Sequence, residues 1–247
     1  MNTPRKLAGK TVIVTGASKG IGAAVSRALA AEGAAVVVNY SSSKAGADQV
    51  VSDIVAGGGR AVAVQADISR QADIERLFSE AQKAFGQIDG LINNAGRYEL
   101  GPIGSITEES FHRHFNLNVL GVLLASQEAV KYFPAIGGVI VNISSVVALV
   151  TPPGIAVYNA SKGAVDAITR SFARELADRK IRVNAINPGL VATEGTHATG
   201  LVVDGAETSP LGPVAKAEDI AAIVVFLASD DSRWINGHLH YATGRLL

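Results

Sequence analysis

One segment near the start of the chain reads Thr11-Val12-Ile13-Val14-Thr15-Gly16-Ala17-Ser18-Lys19-Gly20-Ile21-Gly22. An apolar, β-branched run leads into three closely spaced glycines and then into helix-forming residues, which predicts a strand, a turn and a helix. We expect one glycine to make the turn, one to let the backbone approach a pyrophosphate and one to let the helix pack against the strand. The alternative is an ordinary glycine-rich turn, because the spacing is G-x-x-x-G-x-G. The predicted phosphate site consists of Gly16, Ser18, Lys19, Gly20, Ile21 and Gly22.

Short β-branched runs alternate with longer alanine-rich segments along the rest of the chain. This rhythm predicts βαβ units and a parallel sheet, and near-continuous apolar strands such as Val36-Val37-Val38 indicate that both faces of the sheet are covered. We therefore predict an α/β, Rossmann-type, doubly wound parallel sheet of about seven strands flanked by helices, forming one domain over residues 1–247. Strands are expected at Thr11–Thr15, Ala34–Asn39, Arg60–Gln65, Ile88–Ile92, Gly138–Ile143, Ile181–Ile186 and Leu239–Tyr241. Helices are expected at Ile21–Glu32, Lys44–Ala56, Gln71–Phe85, Thr107–Phe133, Tyr158–Asp178 and Ala217–Ser229.

The composition narrows the class of protein. The 247 residues contain 22 basic and 22 acidic side chains, so a nucleic-acid partner is not expected. The absence of cysteine excludes disulfides, iron–sulfur clusters and a cysteine nucleophile. No apolar run approaches the roughly 20 residues of a membrane span, and no targeting segment is apparent, so we expect a cytoplasmic protein without a membrane partner.

The end of the second predicted strand bears on the choice of dinucleotide. It reads Val38-Asn39-Tyr40-Ser41-Ser42-Ser43-Lys44 and lacks the acidic residue that would bind the ribose diol of NAD. We expect Asn39, Tyr40 and Ser41 to donate to a 2′-phosphate, with Lys19 adding positive charge, so NADP(H) is favoured over NAD(H). The alternatives are a solvated Lys19 and serines that cap a helix.

A further cofactor contact is expected after the third strand. Asp67, followed by Ile68, could accept a hydrogen bond from the adenine amino group. The alternative is that Asp67 caps the N-terminus of the next helix.

Tyr158 and Lys162 open the fifth long predicted helix and share one of its faces, because they are four residues apart. A lysine ammonium next to a tyrosine, with an oxidised nicotinamide nearby, favours the phenolate and lowers the tyrosine pKa from about 10. Such a tyrosine can exchange a proton with a carbonyl or alcohol oxygen. The alternative is a surface pair worth about 0.2–0.5 kcal/mol.

Several short motifs occur together in a fixed order. With them, the sequence resembles the short-chain dehydrogenase/reductase family over essentially its whole length, and is similar to 3-oxoacyl carrier-protein reductases and related ketoreductases of its single-domain branch. The motifs are Thr15 to Gly22, Asn93-Asn94-Ala95-Gly96, Asn118-Val119-Leu120-Gly121, Asn142-Ile143-Ser144-Ser145, the pair Tyr158 and Lys162, and Asn187-Pro188-Gly189.

The resemblance implies a catalytic role for four residues. Tyr158 would be the general acid in reduction and the base in oxidation, and Ser145 would donate a hydrogen bond to the substrate oxygen. Ser144 is the neighbouring alternative, although the spacing to Tyr158 matches the family at Ser145. Lys162 would hold the nicotinamide ribose and lower the tyrosine pKa, and Asn118 would order a water that links Lys162 to solvent. No metal is expected.

The resemblance also implies two further groups of cofactor contacts. One group follows the fourth strand and walls the cofactor. The other follows the sixth strand and approaches the nicotinamide, with Thr193 bonding to its amide. All lie near the carboxyl ends of strands, where doubly wound sheets bind ligands. The residues are Asn94, Ala95 and Gly96, and Pro188, Gly189, Val191 and Thr193.

The substrate is expected to be a small carbonyl compound or alcohol. The apolar run from Val146 to Ile155 follows Ser145, and residues 189–213 form a candidate lid, so we expect a hydrophobic ketone, aldehyde or 3-oxoacyl-type compound. Alternatively, these residues only pack the lid. Arg97 and Tyr98 are other possible pocket residues.

The family usually forms a homotetramer, and we expect a homo-oligomer here. The family tetramer is formed partly through the C-terminal strand. Here the segment from His240 to Leu247 lacks the Asp-Gly-Gly turn that commonly follows this strand in the family. Two rival functions are an NAD(P)-dependent sugar or steroid alcohol dehydrogenase and a catalytically silent dinucleotide-binding sensor. A silent sensor should lack the tyrosine or the lysine, and both are present.

Overall fold

The computed structural model describes residues 5–198, 210–212 and 214–244. Its strands are β1 (Thr11–Val14), β2 (Ala35–Tyr40), β3 (Arg60–Gln65), β4 (Gly90–Asn93), β5 (Gly138–Ile143), β6 (Ile181–Pro188), β7 (Val191–Ala192), β8 (Ala215–Lys216) and β9 (Leu239–Ala242). Seven of them form a parallel sheet in the order β3-β2-β1-β4-β5-β6-β9, and β7 pairs with β8. The prediction of a doubly wound, Rossmann-type parallel sheet is confirmed.

The α-helices lie between the strands. They are α1 (Gly20–Ala31), α2 (Lys44–Ala56), α3 (Gln71–Phe85), α4 (Glu108–Phe115), α5 (Gly121–Tyr132), α6 (Val147–Val150), α7 (Ala156–Glu175), α8 (Glu194–Ala198) and α9 (Ala217–Ala228). Within the described residues, none of the helices combines the length and the apolar character that a membrane span requires.

Both faces of the sheet are buried, as the apolar strands predict. Successive side chains of a strand point to opposite faces. Val12 and Val14 accordingly join an apolar cluster with α1 and α9, whereas Ile13 joins a second cluster with α3 and α5. Helices on both faces therefore leave the carboxyl edge of the strands as the place where polar groups can converge.

A buried polar ladder crosses the middle of the sheet. Asn93 on β4 donates to Ser126 Oγ on α5 at 3.1 Å and to Asn142 Oδ1 on β5 at 2.9 Å. Asn142 in turn donates to Thr169 Oγ1 on α7 at 2.9 Å. Hydrogen bonds between buried polar groups are costly to break, so this ladder fixes α5 and α7 relative to the strand ends.

Two predicted segments differ from the structure. The expected helix from Thr107 to Phe133 is divided, because a π-helical turn at Asn116–Leu120 separates α4 from α5. Within the expected lid at 189–213, the structure contains β7 and α8, and residues 199–209 and 213 lie outside the described part. Residues 245–247 of the unusual C-terminus also lie outside it.

Candidate active site

The glycine turn and the loop after β4 are in close contact. Gly16 has a φ of +62°, and a Cβ there would lie 2.8 Å from the Cα of Ala95. A Cβ on Gly22 would lie 2.5 Å from Asn94 Nδ2, which donates to the carbonyl oxygens of Thr15 and Gly16 at 2.8 and 3.0 Å. Only glycine fits both positions, so the turn presents bare backbone to a ligand.

An open cleft of about 940 Å³ lies between these loops. The volume is suited to a large ligand such as a dinucleotide, and α1 begins in it at Gly20 without a side-chain cap from the preceding residue. The N–H groups at this helix start are of the kind that bind a pyrophosphate. The predicted cofactor residues that line the cleft are Gly16, Ser18, Lys19, Gly20, Ile21, Gly22, Asn39, Ser41, Asp67, Ile68, Asn94, Ala95, Gly96 and Thr193.

Glu194 also lines the cleft, although nothing in the sequence marks it as a site residue. It begins α8, and its Oε2 accepts a hydrogen bond from the Gly20 N–H at 3.1 Å. A Cβ on Gly20 would lie 3.5 Å from both the Cβ and the methyl carbon of Thr193. An anionic side chain of the chain itself therefore lies at the helix start that fits a phosphate.

The structure contradicts the predicted role of Asn39. Its side chain is 1% exposed, its Oδ1 accepts the Gly16 N–H at 3.0 Å, and its Nδ2 donates to the carbonyl oxygens of Val64 and Ala66 at 3.3 and 3.1 Å. The amide therefore holds the glycine turn and has no hydrogen left for a 2′-phosphate. Tyr40 packs half-buried against the apolar cluster and does not line the cleft.

The other donors near the end of β2 are accessible. Lys19 and the three serines are exposed and line the cleft. Ser43 precedes α2 without a side-chain cap, and within the described residues no hydroxyl of Ser41, Ser42 or Ser43 donates to a protein group. The proposed helix-capping role of these serines is therefore not realised by their side chains.

Asp67 borders the cleft but does not cap a helix. Its Oδ1 accepts hydrogen bonds from the N–H and the hydroxyl of Ser69 at 2.9 and 2.7 Å. The next helix, α3, begins later, with Arg70 as its N-cap residue. The capping alternative is wrong, because Asp67 instead stabilises the turn that precedes the helix.

Three of the four residues expected to approach the nicotinamide do not line the cleft. The carbonyl of Pro188 accepts the Val146 N–H at 2.9 Å, Val191 is 4% exposed, and a Cβ on Gly189 would lie 3.2 Å from the Cα of Thr243. Of this group only Thr193 lines the cleft, and a contact of the other three with the nicotinamide stays a prediction.

Tyr158 and Lys162 lie next to each other on α7, as predicted. The Lys162 ammonium donates to the carbonyl of Ile143 at 2.8 Å and lies 5.8 Å from the centroid of the Tyr158 ring. The Ser145 side chain lies near that of Tyr158 and acts to lower the Tyr158 pKa. Ser144 is 3% exposed and donates to the Lys162 carbonyl at 3.2 Å. Of the two serines, Ser145 is therefore the one beside the tyrosine.

Burial controls the ionisation of this pair. It raises the pKa of Tyr158 to about 12, an effect that the nearby Ser145 side chain opposes and the nearby Tyr98 reinforces. Burial also lowers the pKa of Lys162 to about 8, against the attraction of Asp166. The predicted lowering of the Tyr158 pKa by Lys162 concerned the pair beside an oxidised nicotinamide, and it stays a prediction. In this structure desolvation is the largest influence on the Tyr158 pKa, and the Lys162 ammonium is directed towards a carbonyl oxygen.

Asn118 lies in the π-helical turn and is 1% exposed. Its Oδ1 accepts the Arg97 N–H at 2.8 Å, while its Nδ2 donates to the Arg97 carbonyl at 2.8 Å and to Ser161 Oγ at 3.0 Å. A Cβ on Gly96 would lie 3.5 Å from Asn118 Oδ1 and 3.6 Å from Lys162 Nζ. The turn thus brings Asn118 to the pair on α7, since π-helical turns displace side chains from the regular helical path.

Asp166 and Asn187 are joined to the site by hydrogen bonds, and they were not predicted as site residues. Asn187 Nδ2 donates to Asp166 Oδ2 at 3.0 Å and to the Ser145 carbonyl at 3.2 Å. Burial raises the pKa of Asp166, while the nearby Ser144 side chain and the hydrogen bonds from Asn187 oppose that effect. Asn187 belongs to the motif Asn187-Pro188-Gly189, but nothing in the sequence marks Asp166 on α7 as its partner.

Two further rings border the Tyr158 ring. The Tyr98 ring centroid is 5.9 Å away, with the two planes inclined by 53°, and the Tyr98 hydroxyl donates to the Gly195 carbonyl at 3.2 Å. The His114 ring centroid is 6.5 Å away. His114 is 2% exposed, and its Nδ1 lies 2.8 Å from the Ser110 carbonyl oxygen.

Known proteins resemble this chain along nearly its whole length. The family described as enoyl-(acyl carrier protein) reductase matches residues 16–244. An uncharacterized oxidoreductase of Methylorubrum extorquens is 54% identical over 97% of this chain and 98% of its own length. A hydroxynaphthalene reductase-like protein of Metarhizium majus is 43% identical over 98% and 96% of the two chains. The solved structure of the angucycline C-6 ketoreductase LanV with bound NADP is 37% identical, covers 97% and 96%, and has a TM-score of 0.90.

Proposed function

The chain belongs to the short-chain dehydrogenase/reductase family of oxidoreductases, and we propose that it is an NADP(H)-dependent carbonyl reductase that acts on a hydrophobic ketone or a 3-oxoacyl-type compound. The observation that carries the proposal is the convergence of Ser145, Tyr158 and Lys162 beside a cleft of dinucleotide size. A tyrosine whose pKa is about 12 holds its proton at neutral pH, as the acid in a reduction must.

The preference for NADP(H) rests on the charge and the hydroxyls near the end of β2. Lys19 and the exposed Ser41, Ser42 and Ser43 can bind a 2′-phosphate, and no carboxylate follows Tyr40 before α2. NADP in the related LanV structure supports the same choice. If these donors bound water and not the cofactor, the preference for NADP(H) over NAD(H) would be lost.

The mechanism assigns a step to each side chain of the cluster. When bound, the nicotinamide supplies the hydride that reduces the carbonyl carbon. Ser145 donates a hydrogen bond to the carbonyl oxygen, and Tyr158 transfers its hydroxyl proton to that oxygen as negative charge develops. The Lys162 ammonium, 5.8 Å from the ring, stabilises the phenolate that remains, and Asn118 holds the segment after Gly96 in place. Oxidation of the alcohol is the reverse.

The surface beyond Ser145 supports a hydrophobic substrate. Leu149 and Val150, on α6, are 53% and 49% exposed. The names of the hydroxynaphthalene reductase-like relative and of the angucycline ketoreductase agree with an apolar ring ketone. A sugar alcohol dehydrogenase would be expected to present polar groups here, whereas a steroid dehydrogenase would not be distinguished by this surface.

We also propose that the protein is a cytoplasmic homo-oligomer, with a tetramer favoured. Trp234 is 95% exposed and precedes β9, the last strand of the sheet. Burial of this ring against a second copy would remove a large apolar surface from water.

The proposal is tested by NADPH consumption at 340 nm with a panel of candidate acceptors. The panel contains an acetoacetyl thioester, a β-keto ester, an aryl ketone and a crotonyl thioester, each with NADPH or NADH. We expect reduction of at least one carbonyl compound, at a kcat/KM at least tenfold higher with NADPH. Reduction of the crotonyl double bond alone, or a clear preference for NADH, would contradict the proposal.

A further inference from the structure

Tyr98 is fixed beside the candidate catalytic tyrosine by two contacts. Its ring lies 5.9 Å from that of Tyr158, and its hydroxyl donates to the carbonyl of Gly195 on α8 at 3.2 Å. The ring itself is half-buried and so retains accessible surface. A ring held by these two contacts offers a preformed surface to a ligand. Binding then costs little conformational entropy of the Tyr98 side chain.

A second ring beside Tyr158 is closed to a ligand. His114 on α4 has its ring centroid 6.5 Å from that of Tyr158, and it is 2% exposed. Its Nδ1 is engaged with the carbonyl of Ser110. Of the two rings next to Tyr158, Tyr98 is therefore the one that a substrate can contact.

This inference rests on the proposed carbonyl reductase function and concerns its substrate class. We propose that Tyr98 is a specificity-determining residue whose ring stacks on an aromatic ring fused to the reacting ketone. Aromatic pairs prefer tilted or offset arrangements with centroids 4.5–7 Å apart, and they gain energy beyond that of the buried area. Flat, fused aryl ketones are then preferred over saturated ketones of the same skeleton.

Two substitutions separate the ring from its hydroxyl. Tyr98→Phe removes the hydrogen bond to Gly195 and keeps the ring, whereas Tyr98→Leu removes both and keeps an apolar side chain. If Tyr98 served only to hold α8, loss of the hydroxyl alone would produce the full effect. Ile103→Ala is the matched control, because Ile103 belongs to the same segment and is 98% exposed.

The experiment compares kcat/KM for 1-tetralone and for its saturated analogue 1-decalone. We expect Tyr98→Leu to lower the ratio of the two values about fivefold. Tyr98→Phe and Ile103→Ala should leave this ratio within twofold of that of the unmodified protein. An unchanged ratio in Tyr98→Leu, or an equal loss with both ketones, would overturn the proposal.

A binding measurement keeps this test separate from that of the reductase function. Calorimetric titration with 1-naphthol, in the presence of NADP⁺, needs no turnover. We expect Tyr98→Leu to bind 1-naphthol about fivefold more weakly and Tyr98→Phe to bind it as the unmodified protein does; equal affinity in all three would overturn the inference. Absence of NADPH consumption with every ketone would instead count against the proposed function.

Discussion

Tyr158 and Lys162 form a buried pair, and burial disfavours the charged form of each side chain. Burial raises the tyrosine pKa to about 12 and lowers the lysine pKa to about 8. At neutral pH the tyrosine therefore keeps its proton, and the lysine remains mostly charged. This is the state from which a carbonyl oxygen can be protonated and a new phenolate stabilised.

The lysine pKa predicts how ketone reduction depends on pH. Lys162 is protonated below about pH 8 and Tyr158 below about pH 12, so kcat/KM for reduction should be constant from pH 6 to 7.5. Above about pH 8 it should fall with the slope of one proton, because Lys162 loses its charge while Tyr158 does not. The profile is measured by NADPH consumption in buffers of constant ionic strength.

The variant Lys162→Arg provides the matched comparison. A guanidinium is not deprotonated in this range, so whatever activity remains should show no fall near pH 8. A fall at the same pH in Lys162→Arg, or a flat profile to pH 10 in the unmodified protein, would assign the ionisation to another group.

Helical spacing and the family resemblance predicted the candidate catalytic cluster, whereas not every predicted cofactor contact agrees with the structure. Tyr158 and Lys162 are placed together by helical spacing, which a sequence displays directly. Asn39 was assigned to a phosphate because amides can donate to one, yet its amide is used by Gly16, Val64 and Ala66. Which way a strand-end side chain turns depends on neighbours that are distant in sequence, so composition cannot decide it.

At the scale of elements, α8 links the two halves of the site. Glu194 contacts the start of α1 through the Gly20 N–H, and the next residue, Gly195, accepts the Tyr98 hydroxyl. Cofactor phosphates and the Glu194 carboxylate would compete for the same end of α1. Cofactor entry should therefore be accompanied by a change in the contacts of α8.

This competition gives a prediction for the variant Glu194→Gln. Removal of the negative charge should lower the Kd for NADPH about two- to fivefold, because a charge at a helix end is worth about 0.3–1 kcal/mol. The Kd is measured by NADPH fluorescence, and the gain should shrink at high salt.

Glu218→Gln is the control for net charge. It removes the same charge from an exposed residue in the first turn of α9 that makes no bond to Gly20. An equal gain in both variants would show a general effect of charge, and weaker binding in Glu194→Gln would show that the carboxylate assists the cofactor.

Element boundaries were predictable where the apolar pattern was regular. The seven strands of the main sheet follow β-branched runs, and their boundaries were predicted within about two residues, whereas the short strands β7 and β8 were not predicted. The division of the predicted helix at Asn116–Leu120 was not, because residues 116–120 contain no glycine or proline that would mark a break in the helix. The turn nevertheless belongs to the candidate site, since it carries Asn118 towards Lys162.

For the whole molecule, the parallel sheet follows from the alternation of strands and helices, and the position of the site follows from the sheet. The cleft lies beyond the carboxyl ends of β1 and β4, which are neighbours in the sheet but not in sequence. The oligomeric state and the substrate are not encoded in that alternation, because both depend on surface side chains. They therefore stay predictions.

The most direct test of the central claim compares the unmodified protein with Tyr158→Phe. Both are first shown to bind NADPH with the same Kd, and NADPH consumption is then followed with a ketone that the unmodified protein reduces. Because general acid catalysis contributes about 10²–10⁴-fold, we predict a loss of that size in kcat, with binding unchanged. A variant that retains more than a tenth of the activity would contradict the assignment of Tyr158 as the proton donor.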